Sequence, residues 1–255
     1  MRRYRLFCPD LSEGPNELSV EESRHAVAAL RMIPGQEVTL FDGKGNEATG
    51  VVSFPVDPDL GSTKRRPLTI DAQRPIARPF ELSHRITLAV AMTKPQRQGY
   101  LIEKCTELGV GVFWPLVAEF GVAKPSTAAI QRWSRRAIEA AKQSGRAWVP
   151  PIAVPQSFDD VLLRMDEFET ACLTDVKPGN QTLGHLLEHC GMPANILVLV
   201  GPEGGWSEDE RTRADDANVN RVSLGPTVLR TETAAIAVCA AVAMFSTALD
   251  TATEP

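Results

Sequence analysis

The apolar run Ile196–Val200 leads into Val200-Gly201-Pro202-Glu203-Gly204-Gly205, and a helix start follows. Ser207 with Glu210 three residues later is the spelling of a capping box. Strand, glycine turn and helix is the usual layout of a phosphate-binding loop. This loop, however, carries a carboxylate and neither lysine nor arginine. A second glycine turn, Leu224-Gly225-Pro226, runs on to Leu229-Arg230-Thr231-Glu232, where an alanine-rich helix opens. Neither turn has the spacing of a dinucleotide fingerprint or a P-loop. Glycines let backbone N–H and C=O groups approach the edge of a base. A carboxylate tolerates a cation or a ribose hydroxyl but repels a phosphate. A ligand with an adenine, ribose hydroxyls and a positive centre meets both conditions, and S-adenosyl-L-methionine is such a molecule.

The elements that must hold these loops alternate from Ile86 onward. Apolar runs at 86–92, 112–117, 170–174, 196–200 and 221–224 predict buried strands, with a weak strand near Ile152. Helical patterns lie near 97–108, 127–144, 157–166, 181–190, 207–217 and 231–249. That alternation predicts a parallel sheet with helices on both faces. Ligands of such sheets sit at the C-terminal ends of strands, where both glycine turns fall. Thr174, ending another strand, is expected to feed the same pocket. The uncharged stretch Thr233–Leu249 is short for a bilayer and rich in alanine, so a buried helix is expected rather than a membrane span.

Residues 1–76 read as mostly β. The segment EVTLFDGKGNEATGVV predicts a hairpin around Asp42-Gly43. SVEESRHAVAALRM predicts a short amphipathic helix capped by Ser19, with Glu22 completing a capping box. A connector containing proline and arginine near 74–84 sets the expected boundary, with a second domain over 77–255.

The 255 residues are 43% hydrophobic and 23% charged, enough apolar mass for a real core. A net charge of −5 argues against a nonspecific polyanion binder. Charge is nevertheless uneven. Lys64, Arg65, Arg66, Arg74 and Arg78 stand against Asp71 alone over 61–78. Lys124, Arg132, Arg135, Arg136, Lys142 and Arg146 stand against Glu139 over 124–146. Two basic patches in an acidic chain suggest directed contact with an anionic polymer. Five scattered cysteines without C-x-x-C spacing predict reduced thiols in a cytoplasmic protein. MRRYRLFCPD has no apolar stretch, so no signal peptide is expected there. His185 and His189 are four apart with Cys190 adjacent, but no fourth ligand is in view and no metal site is expected. Trp133 and Trp148 are expected to anchor the core.

Several segments in this order resemble one family: EESRHAVAALRMIPGQEVTLFDGKGNEATG, KPQRQGYLIEKCTELGVGVFWPL, RWSRRAIEAAKQSGRAWVPPI, LVLVGPEGGWSEDE and VSLGPTVLRTETAAIA. The chain resembles the RsmE-type methyltransferases of the SPOUT superfamily, which methylate N3 of a uridine in 16S ribosomal RNA of the small subunit. The resemblance implies a small N-terminal PUA-like β-barrel for RNA. It implies a C-terminal α/β domain whose parallel sheet ends in a trefoil knot, a homodimer, and S-adenosyl-L-methionine as cofactor. Family cofactor contacts carry over to Thr174, Val200 and 201–205, to Leu224 and Gly225, and to Leu229, Arg230 and Thr231. The chain departs from the family at Phe120 and Thr227, where arginine is frequent, and at Gln96, where an acid commonly precedes Arg97.

Transfer from a sulfonium to uracil N3 requires alignment and a fate for the N3 proton. Arg230 is the first candidate to face the anionic oxygens or an adjacent phosphate. Glu232 and Glu203 are candidate bases, and Arg97 is expected to reach across a dimer to the RNA backbone. Arg24, Arg31, Arg65, Arg66, Arg132, Arg135, Arg136 and Arg146 are the expected RNA contacts. Competing readings are a related enzyme acting on another RNA base or a ribose 2′-hydroxyl, and a noncatalytic ribosomal RNA-binding assembly factor.

Overall fold

The computed structural model describes residues 4–53, 67–78, 82, 84–121, 125–191 and 193–252. Arg65, Arg66 and most of their basic loop lie outside the described residues, as does Lys124. The chain divides into two compact units, 1–80 with 141–149, and 81–140 with 150–255. The expected cut after residue 76 therefore misses a returning segment. Residues 141–149 cluster with the first unit because Glu22 pairs with Lys142 at 2.6 Å and Arg5 donates to the Arg146 carbonyl at 2.8 Å.

The first unit is a six-stranded sheet. Strands β1 (Tyr4–Phe7), β3 (Glu37–Phe41), β4 (Asn46–Ser53), β5 (Thr69–Ala72) and β2 (Gly14–Glu17) lie side by side in that order, and β6 (Ile76–Ala77) pairs with β4. Only β1 and β3 run parallel. The predicted hairpin is β3–β4, and the Asp42 carboxylate closes its loop by accepting from the backbone of Lys44 and Asn46. Leu6, Val38, Leu40, Val52, Leu68 and Ile70 fill the core.

Ser19 caps α1 (Val20–Arg24) by accepting the Glu22 N–H. The reciprocal half of the predicted box is missing, because the Glu22 carboxylate accepts the Phe7 N–H and pairs with Lys142 instead. The predicted amphipathic helix also breaks early. After Arg24 the chain widens into a π-turn over His25–Ala29, and it leaves through Arg31 at φ 53°, a left-handed conformation that is uncommon for a side-chain-bearing residue.

The second unit is a seven-stranded parallel sheet. Its order is β11 (Gln181–Thr182), β13 (Asn220–Ser223), β10 (Thr170–Thr174), β12 (Asn195–Val200), β7 (Arg85–Ala91), β8 (Val112–Val117) and β9 (Gln156–Ser157). The weak strand near Ile152 is only an isolated bridge to Phe113. The central strands are apolar without alternation because both faces are covered. On one face Ala89, Leu173, Leu197 and Leu199 pack with Phe158 and Val161 of α4 (Phe158–Leu162) and Ala214 of α6 (Glu208–Asp216). The alanine-rich helix α7 (Thr231–Ala252) packs on β7, β12 and α2 (Pro95–Glu107). No helix among the described residues is long and apolar enough to cross a membrane.

The remaining helices are α3 (Thr127–Ser144) and α5 (Leu183–His189). Trp133 of α3 is buried, as expected of a core anchor. All five cysteines are free thiols.

Candidate active site

Three neighbouring strand ends build the site. Thr174 of β10 is level with Val200 of β12 and with Val222 of β13, so the loops leaving these strands emerge side by side. Between them lies a cavity of about 290 Å³. Its lining includes Thr174, Val200, Gly201, Pro202, Glu203, Gly204, Gly205, Leu224, Gly225, Leu229 and Thr231. Those are all the positions expected to hold cofactor except Arg230. Arg230 is exposed and does not line the cavity, while its two neighbours do.

The loop after β12 is a compact turn. Gly205 donates its N–H to the Pro202 carbonyl at 2.9 Å and sits at φ 76°, which glycine adopts freely. Gly201 has a different reason to be glycine, since a Cβ there would lie 2.8 Å from the Trp206 ring. Trp206 is fixed in turn by its indole N–H, which donates to the Thr174 carbonyl at 2.8 Å. The hydroxyl of Thr231 donates to the Gly201 carbonyl at 2.9 Å and ties the start of α7 to this loop. The capping box of α6 forms in full, with Ser207 accepting from Glu210 N–H and Glu210 accepting from Ser207 N–H. The other oxygen of Glu210 accepts the Glu119 N–H at 2.9 Å, fastening the turn after β8. Phe120 in that turn is exposed and lies against Gly204, where a Cβ would come within 2.9 Å of its own.

The charged side chains lining the cavity are Asp175, Glu203 and Arg211. Arg211 is spent, because its guanidinium grips the buried Asp175 carboxylate at 3.0 and 3.3 Å. The lining side chains thus carry two carboxylates against one guanidinium, and Glu203 turns one oxygen to Arg97, which lies outside the lining, at 3.0 Å. The donor set therefore suits a cationic nucleoside and disfavours a phosphate. Sequence reasoning missed Asp175, Trp206 and Arg211. Trp206 follows the glycine loop directly and was within reach, but nothing local in the sequence announces that Arg211 pairs with a residue 36 positions away.

Arg97, Glu203 and Glu232 do come together. Arg97 Nη1 lies 3.0 Å from Glu203 Oε1 and 3.3 Å from Glu232 Oε1. Arg97 thus turns toward carboxylates of its own chain, and Glu232 takes Arg97 rather than Arg230 as its partner. Lysine and arginine are scarce at the cavity but plentiful elsewhere. Arg132, Arg135 and Arg136 are exposed on α3, with Arg136 also 3.3 Å from Glu103. Arg24 and Arg31 are exposed on the first unit. Arg146 corrects the sequence reading: it is only 4% exposed, and a guanidinium packed inside the first unit does not present itself to a phosphate backbone. His185 and His189 stack with ring centroids 4.0 Å apart, and no cluster of three metal-ligating side chains occurs among the described residues.

A small N-terminal β unit and a parallel α/β unit with two glycine loops at its strand ends go together with a match to the RNA methyltransferases. The family described as RNA methyltransferase domain matches residues 80–243, and the RNA methyltransferase PUA domain matches residues 18–58. The ribosomal RNA small subunit methyltransferase E of Synechocystis sp. is 33% identical over 91% of this chain and 74% of its own length. That of Bacillus subtilis is 28% identical, covering 92% of this chain and 93% of its own. The crystal structure of the Neisseria gonorrhoeae ribosomal RNA small subunit methyltransferase E, bound to S-adenosyl methionine, matches with a TM-score of 0.83 at 29% identity, covering 96% of this chain and 98% of that one. The chain belongs to the ribosomal RNA small subunit methyltransferase E family.

Proposed function

We propose that this protein transfers the methyl group of S-adenosyl-L-methionine to N3 of a uridine in 16S ribosomal RNA of the small subunit. The observation that carries the reading is the glycine-walled cavity, whose lining sets two carboxylates, Glu203 and Asp175, against the single guanidinium of Arg211. Its backbone groups suit an adenine edge and ribose hydroxyls, and its negative charge suits a sulfonium. When bound, that cofactor supplies the electrophilic methyl group, and this chain's residues do the rest. The 201–205 turn and the Leu224–Thr231 segment wall the ligand in and exclude water. Arg230, exposed beside two cavity-lining residues, meets an RNA phosphate or the uracil oxygens. Arg132, Arg135 and Arg136, and on the first unit Arg24 and Arg31, hold the RNA backbone through charge, which carries affinity without sequence information. A homodimer, a knot through the cofactor loops and a cytoplasmic location extend the same reading from the family resemblance.

The test incubates the protein with methyl-labelled S-adenosyl-L-methionine and small ribosomal subunits lacking the modification, then digests the RNA to nucleosides. Label in N3-methyluridine is the expected result. Label in another nucleoside moves the target and retains the cofactor, and no label overturns the catalytic reading.

A further inference from the structure

Two carboxylates stand beside the cavity, and their surroundings differ. Glu203 is about half exposed, so water satisfies whatever Arg97 does not. The Glu232 side chain is only 9% exposed, with Oε1 held by Arg97 at 3.3 Å. Its other oxygen, Oε2, is buried and has no hydrogen-bond partner among the described residues. A buried acceptor without a donor is left with its desolvation unrelieved. The fold keeps this one at the second residue of α7, next to Thr231, which lines the cavity and is latched to Gly201. Arg97 holds Oε1, which leaves Oε2 as the open acceptor. A buried carboxylate oxygen without a donor is placed to take a proton.

We infer that Glu232 is the general base of the methyl transfer, taking the N3 proton of the target uridine on Oε2 while Arg97 positions the carboxylate through Oε1. This rests on the function proposed above. In the step the N3–H bond breaks toward Oε2, and the nitrogen pair forms the bond to the methyl carbon. The sulfur–methyl bond breaks with its pair returning to sulfur, leaving a neutral thioether, and Glu232 later releases its proton to water. Arg97 is a positioning residue here, and Glu203 holds it from the other side. The charged groups that face Glu232 are Arg97 of α2 and, through it, Glu203 of the glycine turn.

The experiment compares wild type, Glu232→Gln, Glu232→Asp and Arg97→Gln on small subunits carrying uridine or 5-fluorouridine, whose N3–H is more acidic. Glutamine keeps an oxygen for Arg97, so S-adenosyl-L-methionine should bind E232Q within about twofold of wild type, showing an intact site. Its kcat should fall on the order of 100-fold or more, the usual share of a general base. The E232Q rate should climb with pH where the wild-type rate is flat, 5-fluorouridine should restore much of it, and E232D should fall between the two. Arg97→Gln should lower kcat less than E232Q does. An E232Q kcat within threefold of wild type, or a loss that neither pH nor 5-fluorouridine relieves, overturns the assignment to Glu232. Failure of the wild type to produce N3-methyluridine overturns the broader functional reading instead.

Discussion

Thr231 and Gly201 are joined by one hydrogen bond of 2.9 Å, hydroxyl to carbonyl, across 30 residues of sequence. That bond closes the cavity between the turn after β12 and the start of α7. Replacing Thr231 with Val keeps the shape and removes the donor, leaving a part-buried carbonyl unpaired at about 1 kcal/mol. S-adenosyl-L-methionine affinity measured by calorimetry should drop about fivefold, in line with that energy. An unchanged Kd would show that other contacts hold the two walls.

Gly201 and Gly99 should respond oppositely to alanine. At Gly201 the new methyl meets the Trp206 ring at 2.8 Å, an overpacking that costs about 1–3 kcal/mol. At Gly99, inside α2, the nearest atom is the Arg136 side chain at 3.7 Å, so G99A gains roughly 0.5–1 kcal/mol of helix stability. Thermal denaturation of the two variants should give shifts of opposite sign, with cofactor binding lost only in G201A.

Glu203 lines the cavity and keeps a half-exposed carboxylate there beside Arg97, so its effect should track the ligand's charge. Glu203→Gln should weaken S-adenosyl-L-methionine by about fivefold, an energy near 1 kcal/mol typical of a screened charge contact. S-adenosylhomocysteine, which lacks the sulfonium, should change less. Equal losses for both ligands would remove the electrostatic reading of this loop.

In the first unit, Lys142 and Glu22 are buried together at 2.6 Å, and Glu22 also accepts the Phe7 N–H. Lys142→Met strands the carboxylate and should cost about 3–5 kcal/mol. Urea unfolding should show the loss. A cost below 1 kcal/mol would mean that water reaches Glu22.

Burial pushes the Cys172 thiol up to about 12, whereas Cys190 is exposed. Raising pH to 9 should therefore leave Cys172 unreactive toward a thiol reagent in the native protein while Cys190 labels quickly. The shift is upward in the folded state. Its stabilisation is complete below the ordinary thiol value of 9.0 and fades as pH climbs from there toward 12. Peptide mapping of native protein labelled at pH 7 and 9 checks this. Modification of Cys172 at either pH without unfolding would contradict it.

Much of this was legible in the sequence because the signals were local. Continuous apolar runs placed β7, β8, β10 and β12 to within a residue, since a strand buried on both faces needs no alternation. Ser207 and Glu210 announced the start of α6 and formed their box. The same spelling at Ser19 and Glu22 was half right, because a buried lysine 120 residues away claimed the Glu22 carboxylate. Arg146 looked like part of a basic surface, yet the fold turns it inward, and charge counting is blind to direction. The meeting of Arg97 with Glu203 and Glu232 depends on three elements converging, and no spacing rule spans the 106 residues from Arg97 to Glu203.

Glu210 accepts at once from Ser207 and from Glu119, a residue made 91 positions earlier. During synthesis the turn after β8 must therefore wait for a late-arriving acceptor, and the cavity waits longer still, for Thr231. A nascent chain would hold the strands through β8 well before residues 141–149 complete its first unit or Thr231 closes the cavity.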